Sequence, residues 1–432
     1  MNLSFLKSKT AKNAGWLIGG RVLRMLISFF VTVLSARYLG PSNLGLIGYA
    51  TAYITFFMAF CTLGINSVLV KEFLDCPGQE GEILGTTLCL RAISSFCSAI
   101  TVILIVLVVE ADQPVAIWTV ALSTLRMMFQ IFEVFNYWFQ SRLQSKITAA
   151  SILTGYTITA FSKFALMIAG KSVVWFALVT AMEYFWAGLV LLVQYRRQGG
   201  GRLSFSWKRG KHLLSKSRHF ILPSLMIAVY GQTDKLMLKH MIGQTEIGYY
   251  SSAVSVCNMW CFVLAAIITS AYPNIVKAHE VGQEMFQTRC RQLYAIVFHV
   301  SAMVSVVLFV FARPIVYLLY GPQFTGAIQP LRVLTWYTAF TYLGVARNAW
   351  VVCENRQKYL FRVSAAAAAA NVIMNYLLIP VWGASGAAAA SLIAQITTTV
   401  LAPLCIRQLR PNAVLILQAI CWQGLGLRKN RK

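Results

Sequence analysis

Three arginines and two lysines sit where an apolar chain should carry none: Arg21, Arg24, Arg126, Lys163 and Lys235 fall well inside long hydrophobic stretches. Arg91, Arg332, Arg347 and Arg362 lie nearer the ends of such stretches, and only Glu133, Glu183 and Asp234 accompany the whole set. Nine bases less three acids leaves six cations without a counterion even if every acid is paired. A charge at mid-membrane costs about 2.5 to 3.5 kcal/mol, so such cations should face protein or water and should find an anion. Arginine suits phosphate, because its planar fork bonds two oxygens at once and keeps its proton. A pyrophosphate group would satisfy two such forks. Arg21 and Arg24 are three residues apart, which puts both on one helix face. That face, extended by Leu17 and Ser28, is expected to line a cavity, as are Arg126, Lys163 and Lys235. The four arginines near the ends are expected to reach the interface by snorkelling. Glu133, Glu183 and Asp234 read either as charge partners or as ion-coupling groups. Asp234 beside Lys235 could equally hold a proton or a cation.

The elements that position these residues must be membrane helices. Of 432 residues, 58% are hydrophobic and 12% charged, with mean hydropathy +0.65, too little charge to clothe a soluble protein. A span needs about 20 apolar residues. Such stretches recur at 15–38, 45–69, 84–109, 114–138, 148–169, 172–194, 219–241, 247–271, 292–312, 328–352, 359–380 and 385–407. The fold class expected is therefore all-α and polytopic, with about twelve helices. The polar, basic stretch Met1 to Asn13 does not resemble a cleavable signal, so the first span should remain. Ala413 to Leu425 is apolar but short, which suits an interfacial helix.

A formal charge of +25 would suggest nucleic acid in a soluble chain, so its distribution decides. With the N-terminus inside, about 25 basic residues fall in cytoplasmic segments and 4 outside, as the positive-inside rule requires. The largest cluster, Arg196, Arg197, Arg202, Lys208, Arg209, Lys211, Lys216 and Arg218, surrounds Gly199-Gly200-Gly201. It reads as a topogenic, lipid-headgroup-binding linker and not as a nucleic-acid site. Both termini are expected in the cytoplasm. The ten cysteines are scattered without metal-ligand spacing, and no metal or cofactor is expected.

The chain also repeats itself. Leu39-Gly40-Pro41-Ser42-Asn43-Leu44-Gly45 aligns with Ile242-Gly243-Gln244-Thr245-Glu246-Ile247-Gly248, and Asn136, Trp138 and Lys146 align with Asn348, Trp350 and Lys358. Two six-helix bundles follow, at 1–195 and 219–408, joined by a linker at 196–218 and ended by a tail at 409–432. An even number of spans per copy gives both the same orientation, an arrangement of transporters that hold substrate between bundles. Gly19-Gly20, Pro223 and Pro273 mark the places where helices should bend.

Several of these stretches resemble bacterial polysaccharide flippases of the Wzx type, in the multidrug, oligosaccharidyl-lipid and polysaccharide (MOP) exporter superfamily. The resemblance is carried by Thr233-Asp234-Lys235-Leu236-Met237-Leu238, by Glu246 to Ala253, by Ala36 to Gly45, by Glu354 to Tyr359, and by Asn371 to Pro380 with Gly383 and Gly386-Ala387-Ala388. It implies a MATE-like pair of bundles, a cationic lumen, alternating access and undecaprenyl-pyrophosphate oligosaccharides as cargo in the bacterial inner membrane. Membrane lipids, a polysaccharide polymerase and chain-length proteins are the other partners it implies. Arg21, Arg24, Asp234 and Lys235 are the lumen candidates carried over. The alanine-rich run Ala365 to Ala370 departs from the pattern, and close helix packing is sufficient reason for it.

Two rivals stand beside a flippase. A drug or cation exporter would need lumen acids, and here bases outnumber them. A membrane polymerase or ligase would need an outer domain with catalytic groups, yet the outer loops are short, and Glu110 and Asp112 are the only acids in the third.

Overall fold

Inside hydrocarbon each backbone N–H and C=O must be satisfied within its own segment, which leaves the helix as the solution for a chain without barrel patterning. The computed structural model describes residues 9–421, with side chains from residue 19 onward except at 21, 22, 223 and 230. Among the described residues the fold is all-α, with no strand. The chain is a multi-pass membrane protein, as its hydropathy predicts, and among the described residues nine helical stretches are long and apolar enough to cross a membrane.

Two units divide the chain: residues up to 39 with 46–228, and residues 40–45 with 229 onward. The first helix, α1 (Lys9–Thr62), runs through both and breaks at Gly40, whose φ of 74° and ψ of 172° suit a residue without Cβ. The first unit continues with α2 (Asn66–Asp75), α3 (Glu80–Val109), α4 (Pro114–Phe129), α5 (Val134–Ser141), α6 (Ser145–Ile168), α7 (Val173–Arg197) and the start of α8 (Trp207–Met241). A tight turn, Gln130–Glu133, separates α4 from α5 and interrupts the fourth predicted span. Trp138, Phe135, Phe139, Leu69, Ile83 and Tyr195 pack the core beside α5. Trp138 donates its indole N–H to Glu80 at 2.8 Å, and Arg142 bonds the same oxygen while stacking 4.1 Å over the indole.

The second unit holds most of α8, then α9 (Gln244–Asn258), α10 (Cys261–Val281), α11 (Gln283–Val310), α12 (Ala312–Tyr320), α13 (Ile328–Cys353), α14 (Leu360–Trp382), α15 (Ala384–Ile396), α16 (Ala402–Cys405) and α17 (Arg410–Ile420). Two spans expected from sequence, α8 and α13, fall outside the nine most apolar stretches. The reason is their polar load: α8 carries Gln232, Asp234, Lys235 and Lys239, and α13 carries Arg332, Arg347 and Asn348. The short segment 40–45 belongs to this unit. A Cβ on Gly45 would lie 1.8 Å from the Gln244 carbonyl oxygen, and one on Gly248 1.9 Å from that of Pro41. Backbone therefore meets backbone at the two repeat-related turns, and Gln244 adds a hydrogen bond to Ser42 at 2.5 Å. Glu246 accepts from the Ala384 N–H at 2.7 Å and so caps α15. α17 buries Asn412, Ala413 and Ile416, and Asn412 donates to the Tyr294 hydroxyl at 2.6 Å.

Two of the arginines expected to snorkel do not. Arg91 is 1% exposed and Arg347 4%. Arg91 is held inside the first unit by Glu133 at 3.7 Å and Asn66 at 3.4 Å. Arg347 donates to the Thr398 carbonyl at 2.6 Å, within a π-helical turn, Thr397–Leu401, whose wider spacing loosens the usual i to i−4 pairing and leaves that oxygen able to accept.

Candidate functional site

In the first unit, Gly20 brings α1 against α6: a Cβ there would lie 2.8 Å from the Ala149 methyl. One turn further along α1, Arg24 enters a cavity of about 700 Å³ that it shares with Ser28, Glu133, Asn136, Tyr137, Gln140 and Thr148. A second cavity of about 140 Å³ also has Arg24, Glu133 and Asn136 in its wall, with Glu183 and Tyr184. Arg24 bonds Glu183 at 2.5 Å and lies 5.7 Å from the centre of the Tyr156 ring. It is not sealed off, because its side chain remains 38% exposed against 11% for Glu183.

Two other predicted bases of this unit lie near Tyr184 and Glu183. The Arg126 guanidinium lies over Tyr184, 4.6 Å from the ring centre, and its Nε is buried without a hydrogen-bond partner. Lys163 is close enough to Glu183 to feel its charge. Glu133 is engaged by Arg91 and accepts from Gln130 at 3.2 Å. Arg21 is on α1, but its side chain lies outside the described residues. Arg24 and Arg91 are thus each paired with a carboxylate, Glu183 and Glu133, and of these bases Arg24 lines the open cavity, together with Glu133.

Asp234 and Lys235 are not part of this group. They wall a cavity of about 300 Å³ in the second unit, with Gln232, Tyr250, Asn258, Tyr337 and Asn371. Asp234 is 3% exposed and accepts from Tyr250 at 2.7 Å, Ser391 at 2.5 Å, Asn371 at 2.9 Å and Asn375 at 2.6 Å. Four neutral donors from α9, α14 and α15 thus surround one carboxylate and satisfy its oxygens. Lys235 turns to Gln232 at 3.3 Å instead. Reading the sequence for charge alone misses these donors, although Asn371 and Asn375, four apart on one face of the apolar α14, are the signal that would have found them. Arg91 escaped as a cavity neighbour because its position near a span end suggested the interface.

Long apolar helices enclosing cavities walled by buried charge define a multi-pass membrane transporter. A family model described as "Polysaccharide biosynthesis protein" matches residues 10–279, and a second, MatE, matches 220–377. The chain belongs to the polysaccharide biosynthesis protein family, within the MOP superfamily that its motifs resemble. A relative named "Putative O-antigen transporter", from Escherichia coli (strain K12), is 20% identical over 327 residues, 73% of this chain and 76% of its own length. The fold is similar to that of the lipid II flippase MurJ in an inward closed conformation, with TM-score 0.71 and 14% identity, covering 94% of this chain and 90% of that one. It is also similar to an inward-facing multidrug resistance MATE family transporter of the MOP superfamily, with TM-score 0.62 and 15% identity over 92% and 93% of the two chains.

Proposed function

We propose that this protein is a flippase that carries an anionic, lipid-linked oligosaccharide from the inner to the outer leaflet of the bacterial cytoplasmic membrane. The observation that carries the reading is Arg24 itself, an arginine that stays partly exposed at the 700 Å³ cavity while held by Glu183, where an entering anion could compete for it. The names of the O-antigen transporter relative and of the lipid II flippase with a similar fold support a lipid-linked sugar as cargo. In this reading the chain comprises the two bundles 1–195 and 219–408 with both termini cytoplasmic, and it works by alternating access. Arg24 exchanges Glu183 for the substrate pyrophosphate, undecaprenyl pyrophosphate being the carrier; Arg21, Arg126, Lys163 and Lys235 add to the attraction. Glu133, Glu183 or Asp234 would couple an ion, and a polymerase with chain-length proteins would receive the product. A multidrug or cation exporter is the second reading, favoured by the MATE-like fold and by the buried carboxylate of Asp234.

The deciding experiment is translocation of a fluorescent undecaprenyl-pyrophosphate oligosaccharide in proteoliposomes, comparing the unaltered protein with Arg21→Ala plus Arg24→Ala at matched insertion. Transport that is lost in the double variant is the expected result. Transport unchanged would remove both arginines from the binding role, and cation transport without lipid transport would turn the assignment to an exporter.

A further inference from the structure

Between α7 and α8 the chain leaves the helix, and residues 200–206 run as a strap along the N-terminal part of α3. Gly81 and Gly85, four apart on one face of α3, leave the groove that it fills. A Cβ on Gly81 would lie 2.2 Å from the Arg202 carbonyl oxygen, and one on Gly85 2.3 Å from that of Ser204. Hydrogen bonds fix the strap there: the Ser204 N–H donates to the Gly81 carbonyl at 3.3 Å, the Ser206 N–H to the Thr86 hydroxyl at 3.0 Å, and the Tyr195 hydroxyl to the Gly201 carbonyl at 2.7 Å. Leu203, Phe205 and Trp207, at every second position, remain 43%, 51% and 58% exposed, and the last two rings lie 6.3 Å apart.

Backbone outside a helix carries polar groups that hydrocarbon does not satisfy, which excludes the membrane core for this strap. A row of leucine, phenylalanine and tryptophan is costly in water. The headgroup layer suits both, and tryptophan gathers at that level. Cations adjoin the row. Of the basic cluster, Arg209 and Lys216 turn inward to Glu72, at 3.8 and 2.5 Å, whereas Lys208 and Lys211 stay exposed. Lys211 Nζ lies 5.9 Å from the centre of the Trp207 ring. A cavity of about 340 Å³ opens here, walled by Gln79, Glu82, Ser206, Lys208, Arg209 and His212. Glu82 is met by Arg209 at 3.7 Å, which leaves Lys208 as the exposed cation of the wall.

We propose that segment 202–212 binds an anionic phospholipid of the surrounding bilayer, with its phosphodiester at Lys208 and Lys211 beside this cavity and its glycerol and upper acyl carbons against Leu203, Phe205 and Trp207. Charge by itself suits any anion; the apolar row next to the cations selects an amphiphile over a free phosphate. The site shares no lining residue with the Arg24 cavity and is independent of what that cavity carries.

The test uses the full chain in nanodiscs of zwitterionic lipid doped with brominated phosphatidylglycerol or brominated phosphatidylcholine, the Trp207 signal being the difference in fluorescence between the unaltered protein and Trp207→Phe. A lysine at an anionic lipid surface contributes about fivefold in affinity, so half-maximal quenching is expected at about a fivefold lower mole fraction of the anionic lipid. Lys208→Gln plus Lys211→Gln is expected to bring that ratio near unity and, both side chains being exposed, to leave the melting temperature unchanged. Soluble glycerol phosphate is expected to leave the quenching in place. Equal quenching by the two lipids in the unaltered protein, or a preference that survives in the double variant, overturns the site. Relief of quenching by glycerol phosphate overturns it in favour of a free-anion site, and no quenching by either lipid overturns the interfacial placement of the strap.

Discussion

At the scale of single residues, Arg24 and Glu183 form the contact on which most else depends. Hydrogen bonds to charged groups contribute about 1.5 to 3 kcal/mol, and the partial exposure of Arg24 puts this one toward the lower end. A double-mutant cycle with Arg24→Ala and Glu183→Ala, read by thermal melting in detergent, should therefore give a coupling of about 1 to 2 kcal/mol. Arg24→Lys retains charge but loses the two-oxygen fork, so transport of a pyrophosphate lipid should fall about tenfold or more while melting changes little, as measured in the proteoliposome assay. The sequence made the bases of this site legible, because a guanidinium in an apolar run is conspicuous by type alone. It did not make their partners legible: Glu183 lies 159 positions from Arg24, and nothing local to either residue selects the pairing.

At the scale of helices, two carboxylates serve as tie points. Asp234 joins α8 to α9, α14 and α15 through four donors. Asp234→Asn would turn an amide N–H toward amides that already donate, so it should lower stability by about 1 to 3 kcal/mol, more than Lys235→Gln does; paired melts of the two variants check this. Glu72, 2% exposed on α2, is met by Lys216 at 2.5 Å, with His212 at 3.6 Å and Arg209 at 3.8 Å, all from the N-terminal part of α8. The hydrogen bond to Glu72 lifts the Lys216 ammonium above the ordinary lysine value. Because the folded value is the raised one, the stabilisation is fully present below the ordinary lysine range and is lost as pH rises through the lifted value. Melts across alkaline pH should accordingly show a loss in the unaltered protein that is smaller in Glu72→Gln. The length of the apolar runs made these helices legible, but the breaks at Gln130–Glu133 and between Asn258 and Cys261 were not, since both interrupt continuous hydrophobic sequence. The π-helical turn at Thr397–Leu401 was hidden for the same reason: its purpose is visible only once Arg347 is seen bonding Thr398.

For the molecule as a whole, the membrane potential acts on the cargo's charge. Moving two negative charges outward against an inside-negative potential is downhill by about 4.6 kcal/mol per 100 mV, at about 2.3 kcal/mol for each charge. Proteoliposomes with an imposed inside-negative potential should thus move the pyrophosphate lipid outward faster than unpolarised ones, and reversing the potential should reverse the bias; a valinomycin and potassium clamp with the fluorescent lipid measures both. The all-helical, multi-pass fold could be read from the chain because hydrocarbon leaves so few solutions. What hydropathy could not give is the membership of the units, because contact and not sequence order decides it.

That membership has a consequence for heredity and for the bench. Residues 40–45 are encoded in the first half of the gene but are built into the second unit, seated on Gln244 and Gly248. A gene for the second half alone would lack six residues of its own fold. An ancestral duplication could yield two self-sufficient copies only before this exchange was established. A split version of this protein, cut between 198 and 206, should regain its activity only when both fragments are made together.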